Sequence, residues 1–160
     1  MTKTIIKDKA SMMEEIRVLI SEGRTVSLTV KGNSMNPFLV NMRDQMTLGP
    51  WKKEDIRKGT VALVKDIRGN YLIHRIIDLN DTFVTLLGDG NIGFTETATY
   101  DNIIGIMYSI HRKGFTYRSN GIIWKVYSWL WMIMIPVRRW LLYIWRRLNK
   151  KKVFDFSKTR

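Results

Sequence analysis

Apolar residues recur at helical spacing near the start of the chain, where Met12, Met13, Ile16, Leu19 and Ile20 stand among charged neighbours. The pattern predicts an amphipathic helix within residues 1–24, with Gly23 as its C-terminal stop. From Thr25 the period changes. Val26, Leu28 and Val30 alternate with polar residues, as in a half-buried strand. Further strands are expected at 61–65, 71–78, 83–87 and 103–110, and Gly69-Asn70 between two of them is a hairpin-type turn. Short strands joined by turns predict a small, mainly β domain over residues 25–112. The pattern changes again in the tail. Residues 126–137, VYSWLWMIMIPV, form a run of twelve without a charge. After it, Leu141, Ile144, Trp145 and Leu148 can share one helical face while Arg139, Arg146 and Arg147 take the other. The expected fold class is therefore mainly β, with an N-terminal helix over 1–24 and a hydrophobic, basic helical appendage over 113–160, bent at Pro136.

Charge sharpens this division. The net charge is +13, yet residues 1–111 hold 14 Lys/Arg against 13 Asp/Glu, while residues 112–160 hold 13 Lys/Arg against Asp155 alone. The tail also carries five of the six tryptophans, Trp124, Trp129, Trp131, Trp140 and Trp145. A straight membrane span needs about 20 apolar residues, so the uncharged run alone is too short. Lengthening it through Trp140–Trp145 would bring in Arg138 and Arg139, at roughly 2.5–3.5 kcal/mol each near the bilayer centre. A segment lying in the headgroup region avoids that cost, because tryptophan favours the interface and Lys/Arg attract anionic lipid. Residues 121–152 are accordingly expected to bind anionic membrane lipid as a peripheral, monotopic or short re-entrant segment. Basic residues flank the hydrophobic segment on both sides, so the positive-inside rule gives no orientation. The N-terminal stretch contains Asp8, Glu14, Glu15 and Glu22, which excludes a signal-peptide h-region there.

Composition narrows the chemistry. With 45% hydrophobic and 26% charged residues the chain reads as globular. The absence of cysteine excludes disulfides, thiolate catalysis and cysteine-rich zinc sites. His74 and His111 show no metal-ligand spacing, so neither a metal nor another cofactor is expected.

Three segments carry candidate chemistry. Lys31-Gly32-Asn33-Ser34-Met35-Asn36-Pro37 holds a hydroxyl at a sharp turn after a strand, as a serine nucleophile requires; alone it is equally the sequence of a turn serine. His74 stands at the centre of the apolar strand YLIHRII. Its ordinary pKa suits a general base, although a core histidine with a local partner reads the same way. Gly88-Asp89-Gly90-Asn91 offers a carboxylate that can orient an imidazole as the third member of a triad, or simply make a turn.

Taken together and in order, these segments resemble the type I signal peptidases, within the signal-peptidase/SOS-repressor serine peptidase superfamily. GNSMNPFL is similar to the family's nucleophile box, KGTVALVK and YLIHRII to the two boxes that follow, GDGN to the G-D-x-N box and IIGIM to the closing strand. The match covers about residues 25–112. Because position 74 is histidine rather than lysine, the resemblance is to the endoplasmic-reticulum, archaeal and Gram-positive branch, and it implies a Ser–His mechanism. On that reading Ser34 attacks the scissile carbonyl, His74 takes the proton and returns it to the leaving amine, and Asp89 supports His74. Arg75, part of the same box, is read as structural. The resemblance departs at three points: residues 1–24 are not a hydrophobic anchor, Thr60 stands where the family usually has aspartate, and the hydrophobic segment comes after the domain.

The function expected from these readings is a membrane-associated serine endopeptidase that removes a leader or signal segment from another polypeptide, its substrate partner. The alternative is a catalytically silent peptidase-like scaffold that binds anionic membrane through the basic tail. Nucleic acid is not expected, since tryptophan joined to a continuous apolar run suits lipid better than a basic groove with exposed aromatics. A repressor-like autoprotease is disfavoured by the lysine-free base position and by the lack of a helix-turn-helix pattern.

Overall fold

The computed structural model describes residues 9–148. Residues 1–8 of the expected N-terminal helix, and 149–160 of the expected tail with its lipid-binding end at 149–152, lie outside the described residues. Helix α1 (Lys9–Ser21) buries Met13, Ile16 and Ile20, one per turn, and leaves Met12 exposed. It closes at the expected place: the Gly23 N–H bonds the Ile20 carbonyl at 3.0 Å and the Arg24 N–H bonds Leu19 at 3.1 Å.

Eight antiparallel strands follow in one curled sheet: β1 (Val26–Thr29), β2 (Gln45–Gly49), β3 (Val61–Lys65), β4 (Tyr71–Leu79), β5 (Phe83–Leu87), β6 (Glu96–Thr99), β7 (Ile103–Arg112) and β8 (Phe115–Arg118). The order is β1-β2-β7-β3-β4-β5-β6, with β8 also on β7. Ten-residue β7 is shared by three partners: β2 runs along one edge, while β3 and β8 follow one another along the other. The protein is thus mainly β with helices added, as its alternating pattern predicts. Two apolar clusters result. Val61 and Leu63 of β3 face α1 and the Met35–Leu39 loop, whereas Ala62 and Val64 face Ile76, Val84 and Leu86. Burial on both faces is why β3 reads as an unbroken apolar run rather than an alternating one.

The sheet exceeds its expected limits. β8 lies past residue 112, and helix α2 (Ile122–Ile133) seats Trp124 in the same core cluster as α1. Residues 113–133 are therefore part of the body of the domain and not a separate appendage. The chain then turns through Met134–Val137, with Pro136 in the bend, into α3 (Arg138–Leu148). The buried face of α3 also differs from the amphipathic expectation. Arg138 and Leu142 are buried, Arg146 reaches the Gly90 carbonyl at 2.7 Å, and Ile144 and Leu148 are exposed. Leu141 and Trp145 are half-buried, so the packed side is the expected apolar face rotated toward Arg138 and Leu142. Among the described residues no helix is long and apolar enough to cross a membrane.

Candidate active site

Ser34 sits in the loop that joins β1 to β2. The loop is pinned from inside by Met35, Asn36 and Leu39, all buried, and closed by the Met42 N–H on the Val30 carbonyl at 2.8 Å. Its far end is fastened by Asp44, which is fully buried. That carboxylate accepts the Val40 N–H at 2.9 Å, two bonds from Arg43 at 2.8 and 2.9 Å, and two from Arg112 at 2.9 and 2.8 Å. Arg112 also donates to the Phe38 carbonyl. Burial by itself would raise the Asp44 pKa, but the hydrogen bonds from Arg43, Arg112 and Val40 outweigh it and hold the group at about 2.

The turn after β5 closes on this loop from the other side. The Gly90 N–H donates to the Ser34 carbonyl at 2.7 Å. A Cβ on Gly90 would lie 2.5 Å from the Asn33 carbonyl oxygen, and a Cβ on Gly88 would lie 2.5 Å from the Ser34 carbonyl oxygen and 2.9 Å from His74 Nε2. Glycine at these two positions lets the backbone of one loop lie directly on the other. It also places the Ser34 turn and the His74 ring against the same point.

His74 is 5% exposed, at the middle of β4. Its Nδ1 pairs with Glu96 Oε2 at 2.9 Å. With Glu96 accepting from Nδ1–H, a neutral ring carries its lone pair on Nε2, the nitrogen that lies toward Gly88 and the Ser34 loop. This is the tautomer a base toward Ser34 needs. Among the described residues no hydrogen bond joins the Ser34 hydroxyl to His74, and catalytic pairs often tighten only around substrate.

Asp89, expected to support His74, is turned to Arg75 instead. Arg75 Nε and Nη2 hold its two oxygens at 2.8 and 2.7 Å, and the Tyr127 hydroxyl donates to Oδ2 at 3.1 Å. Successive residues of a strand project to opposite faces, so His74 and Arg75 serve different clusters. Arg75 is 1% exposed and also donates to the Gly59 carbonyl at 2.8 Å and to Ser128 Oγ at 2.7 Å, with Trp124 and Tyr127 flanking its guanidinium. Burial works against its charge, yet Asp89 and Tyr127 more than compensate and raise its pKa. Burial lowers the pKa of Arg138 on α3, with Asp89 and Tyr127 acting in the opposite sense. Asp89 is thus the buried anion on which α2 and α3 converge, and the structural role expected of Arg75 includes holding it.

No protein-family model, curated protein or solved structure matches this chain. What can be read of the site is geometry: a serine in a loop pinned by buried residues, an imidazole whose Nε2 lies toward that loop, and a carboxylate bonded to the ring. Among the described residues no His/Cys/Asp/Glu group could hold a metal ion.

Sequence reasoning named Ser34 and His74, which the fold brings to one point, and missed Glu96. The signal for Glu96 was register. Ile76 pairs with Leu86 and Leu86 with Glu96, which puts Glu96 in line with Ile76, on the same face as His74 two residues along β4. Only recognition of β6, whose sequence ETAT has no large apolar residue, would have disclosed it.

Proposed function

We propose that this chain is a signal-peptidase-like serine endopeptidase in which Ser34 is the nucleophile, His74 the general base and Glu96 the residue that orients His74. The observation that carries the reading is the 2.9 Å bond between His74 Nδ1 and Glu96, with Nε2 facing the Ser34 turn. Ser34 Oγ would attack the scissile carbonyl as His74 accepts its proton. The Ser34 backbone N–H would help hold the oxyanion, and protonated His74 would then release the amine. The substrate is a leader or signal segment of another polypeptide.

The outer surface of α2 and α3 supports a membrane-surface location. Trp129 and Trp140 are 63% and 70% exposed, beside exposed Ile122, Ile123, Val126, Ile133 and Ile144, and Arg139 and Arg147 are exposed nearby in sequence. Interfacial tryptophan with basic residues suits anionic headgroups. The same surface favours, as a second reading, a silent scaffold that only binds membrane. The two separate in one experiment, a comparison of protein N-termini by mass spectrometry in cells expressing the native chain or Ser34→Ala. N-termini lost in the variant are expected and would name the substrates. An unchanged set, with the protein folded and abundant, leaves the scaffold.

A further inference from the structure

Two adjoining clefts lie between β7, the loop before β3, the segment joining β8 to α2, and α2 itself. Their volumes are 510 and 670 Å³, and both are walled by Asp55, Ile106, Ser119 and Asn120, so they form one groove. Neither is lined by Ser34, His74 or Glu96. One end is polar, with Thr47, Ser109 and exposed Arg118. The other is largely apolar, with Met107, Trp129 and Met132, and includes the cations Arg57 and Lys125. Lys58 there is already paired with Asp78 at 2.7 Å, and Asp55, whose carboxylate accepts the Lys52 N–H at 2.9 Å, is the anion set against Arg57, Lys125 and Arg118. The remaining balance is cationic.

The choice of occupant follows from what the groove lacks and where it opens. An extended peptide docks by pairing with a free strand edge. Here β7 is paired with β2, β3 and β8, and its Tyr108 carbonyl accepts the Ser119 N–H at 2.8 Å. Trp129 lies three and four residues from Val126 and Ile133, both exposed on α2, so the apolar end opens onto the outer face of that helix. An occupant with one anionic head and an apolar tail meets both ends.

We propose that this groove holds a single anionic phospholipid, its phosphate met by Arg118 at the polar end and an acyl chain lying along Met107, Trp129 and Met132, where Lys125 adds positive charge to the groove. The inference rests on the membrane-surface reading only for the source of the lipid; the site itself is independent of it and of the peptidase activity.

The test is calorimetric titration of the full chain with dihexanoyl phosphatidylglycerol below its micelle concentration. Dihexanoyl phosphatidylcholine and inorganic phosphate serve as parallel probes, and phosphatidylglycerol vesicles as a separate arm. Saturable binding of the anionic lipid is expected, weakened at least about tenfold in R118Q/K125Q by loss of the phosphate contact and of a second positive charge in the groove. It should be unchanged in R139Q/R147Q, which removes the same charge from α3. Equal binding of the choline lipid, equal binding of phosphate alone, or an R118Q/K125Q variant that binds like the native chain would each overturn the proposal. Vesicle binding lost in R139Q/R147Q while the short-chain lipid still binds would leave the groove standing and place the membrane contact on α3. If no variant and no native chain binds vesicles, yet the short-chain lipid binds, the groove is supported and the membrane-surface reading fails.

Discussion

Replacing Gly88 by alanine tests whether the loop-on-loop contact at the candidate site is as tight as described. The added Cβ would stand 2.5 Å from the Ser34 carbonyl oxygen, 2.8 Å from Asn91 Nδ2 and 2.9 Å from His74 Nε2. The amide of Asn91 can rotate away, but the carbonyl is backbone and is already bonded to the Gly90 N–H at 2.7 Å. The ring of His74 is likewise tied to Glu96. Two of the three neighbours cannot yield without breaking a hydrogen bond. Overpacking a close-packed interior costs about 1–3 kcal/mol, and this geometry belongs at the upper end. At about 2–4 °C per kcal/mol for a domain of this size, Gly88→Ala should lower Tm by about 5–10 °C. Thermal unfolding followed by circular dichroism measures it, with Gly93→Ala as the control, since a Cβ there meets nothing within 4 Å. The control should shift Tm by less than about 2 °C. A Gly88→Ala protein as stable as the control would refute the contact, and with it the claim that Ser34 and His74 face a common point.

Two further perturbations address the chemistry and the scaffold of the site. On the proposed mechanism, Glu96→Ala should reduce substrate processing at least about 100-fold with little change in substrate binding; purified enzyme assayed on the substrate identified through Ser34→Ala decides it, and native kcat in the variant would remove Glu96 from the mechanism. Asp44 titrates at about 2 in the fold against 3.8 as its ordinary value, so its contribution is fully present above pH 3.8 and is lost as pH falls through 2. Asp44→Asn should cost about 2–3 kcal/mol at neutral pH by leaving Arg43 and Arg112 without their anion, and flatten the acid limb of stability between pH 4 and 2, as read by urea unfolding across pH; an unaltered limb would show that another carboxylate governs it.

The parts of this structure legible in the sequence are those where one local pattern decides the outcome. Strands β3 and β5 coincide with their expected limits, and β4 and β7 extend one and two residues beyond theirs, because apolar runs bounded by turn residues have few alternatives. β2 carries the alternating Met46 and Leu48, but its five residues sit between Asp44 and Pro50, too short a stretch for the period to stand out. β6 and β8 hold their places through pairing with β5 and β7, information that lies elsewhere in the chain. The site divides in the same way. Ser34 and His74 stand in distinctive local settings, a glycine-proline turn and an apolar strand. The choice between Asp89 and Glu96 as partner of His74 depended on Arg75, whose guanidinium claims both oxygens of Asp89. Arg75 follows His74 directly, yet strand alternation sends it to the opposite face, toward the helix that carries Trp124 and Tyr127.

The convergence of α2 and α3 on Asp89 and Gly90 bears on how this chain can be cut. Truncation ahead of α2, the obvious way to discard the tryptophan-rich tail, would strip Ser128 and Tyr127 from the Arg75–Asp89 pair and Arg146 from Gly90, the residue whose N–H holds the Ser34 carbonyl. A fragment ending near residue 120 would expose an ion pair built for a dry interface. Loss of processing in such a fragment would then say nothing about the proposed lipid contact, so point changes on the outer surface of the helices are the sound way to test the proposed membrane contact apart from the proposed peptidase.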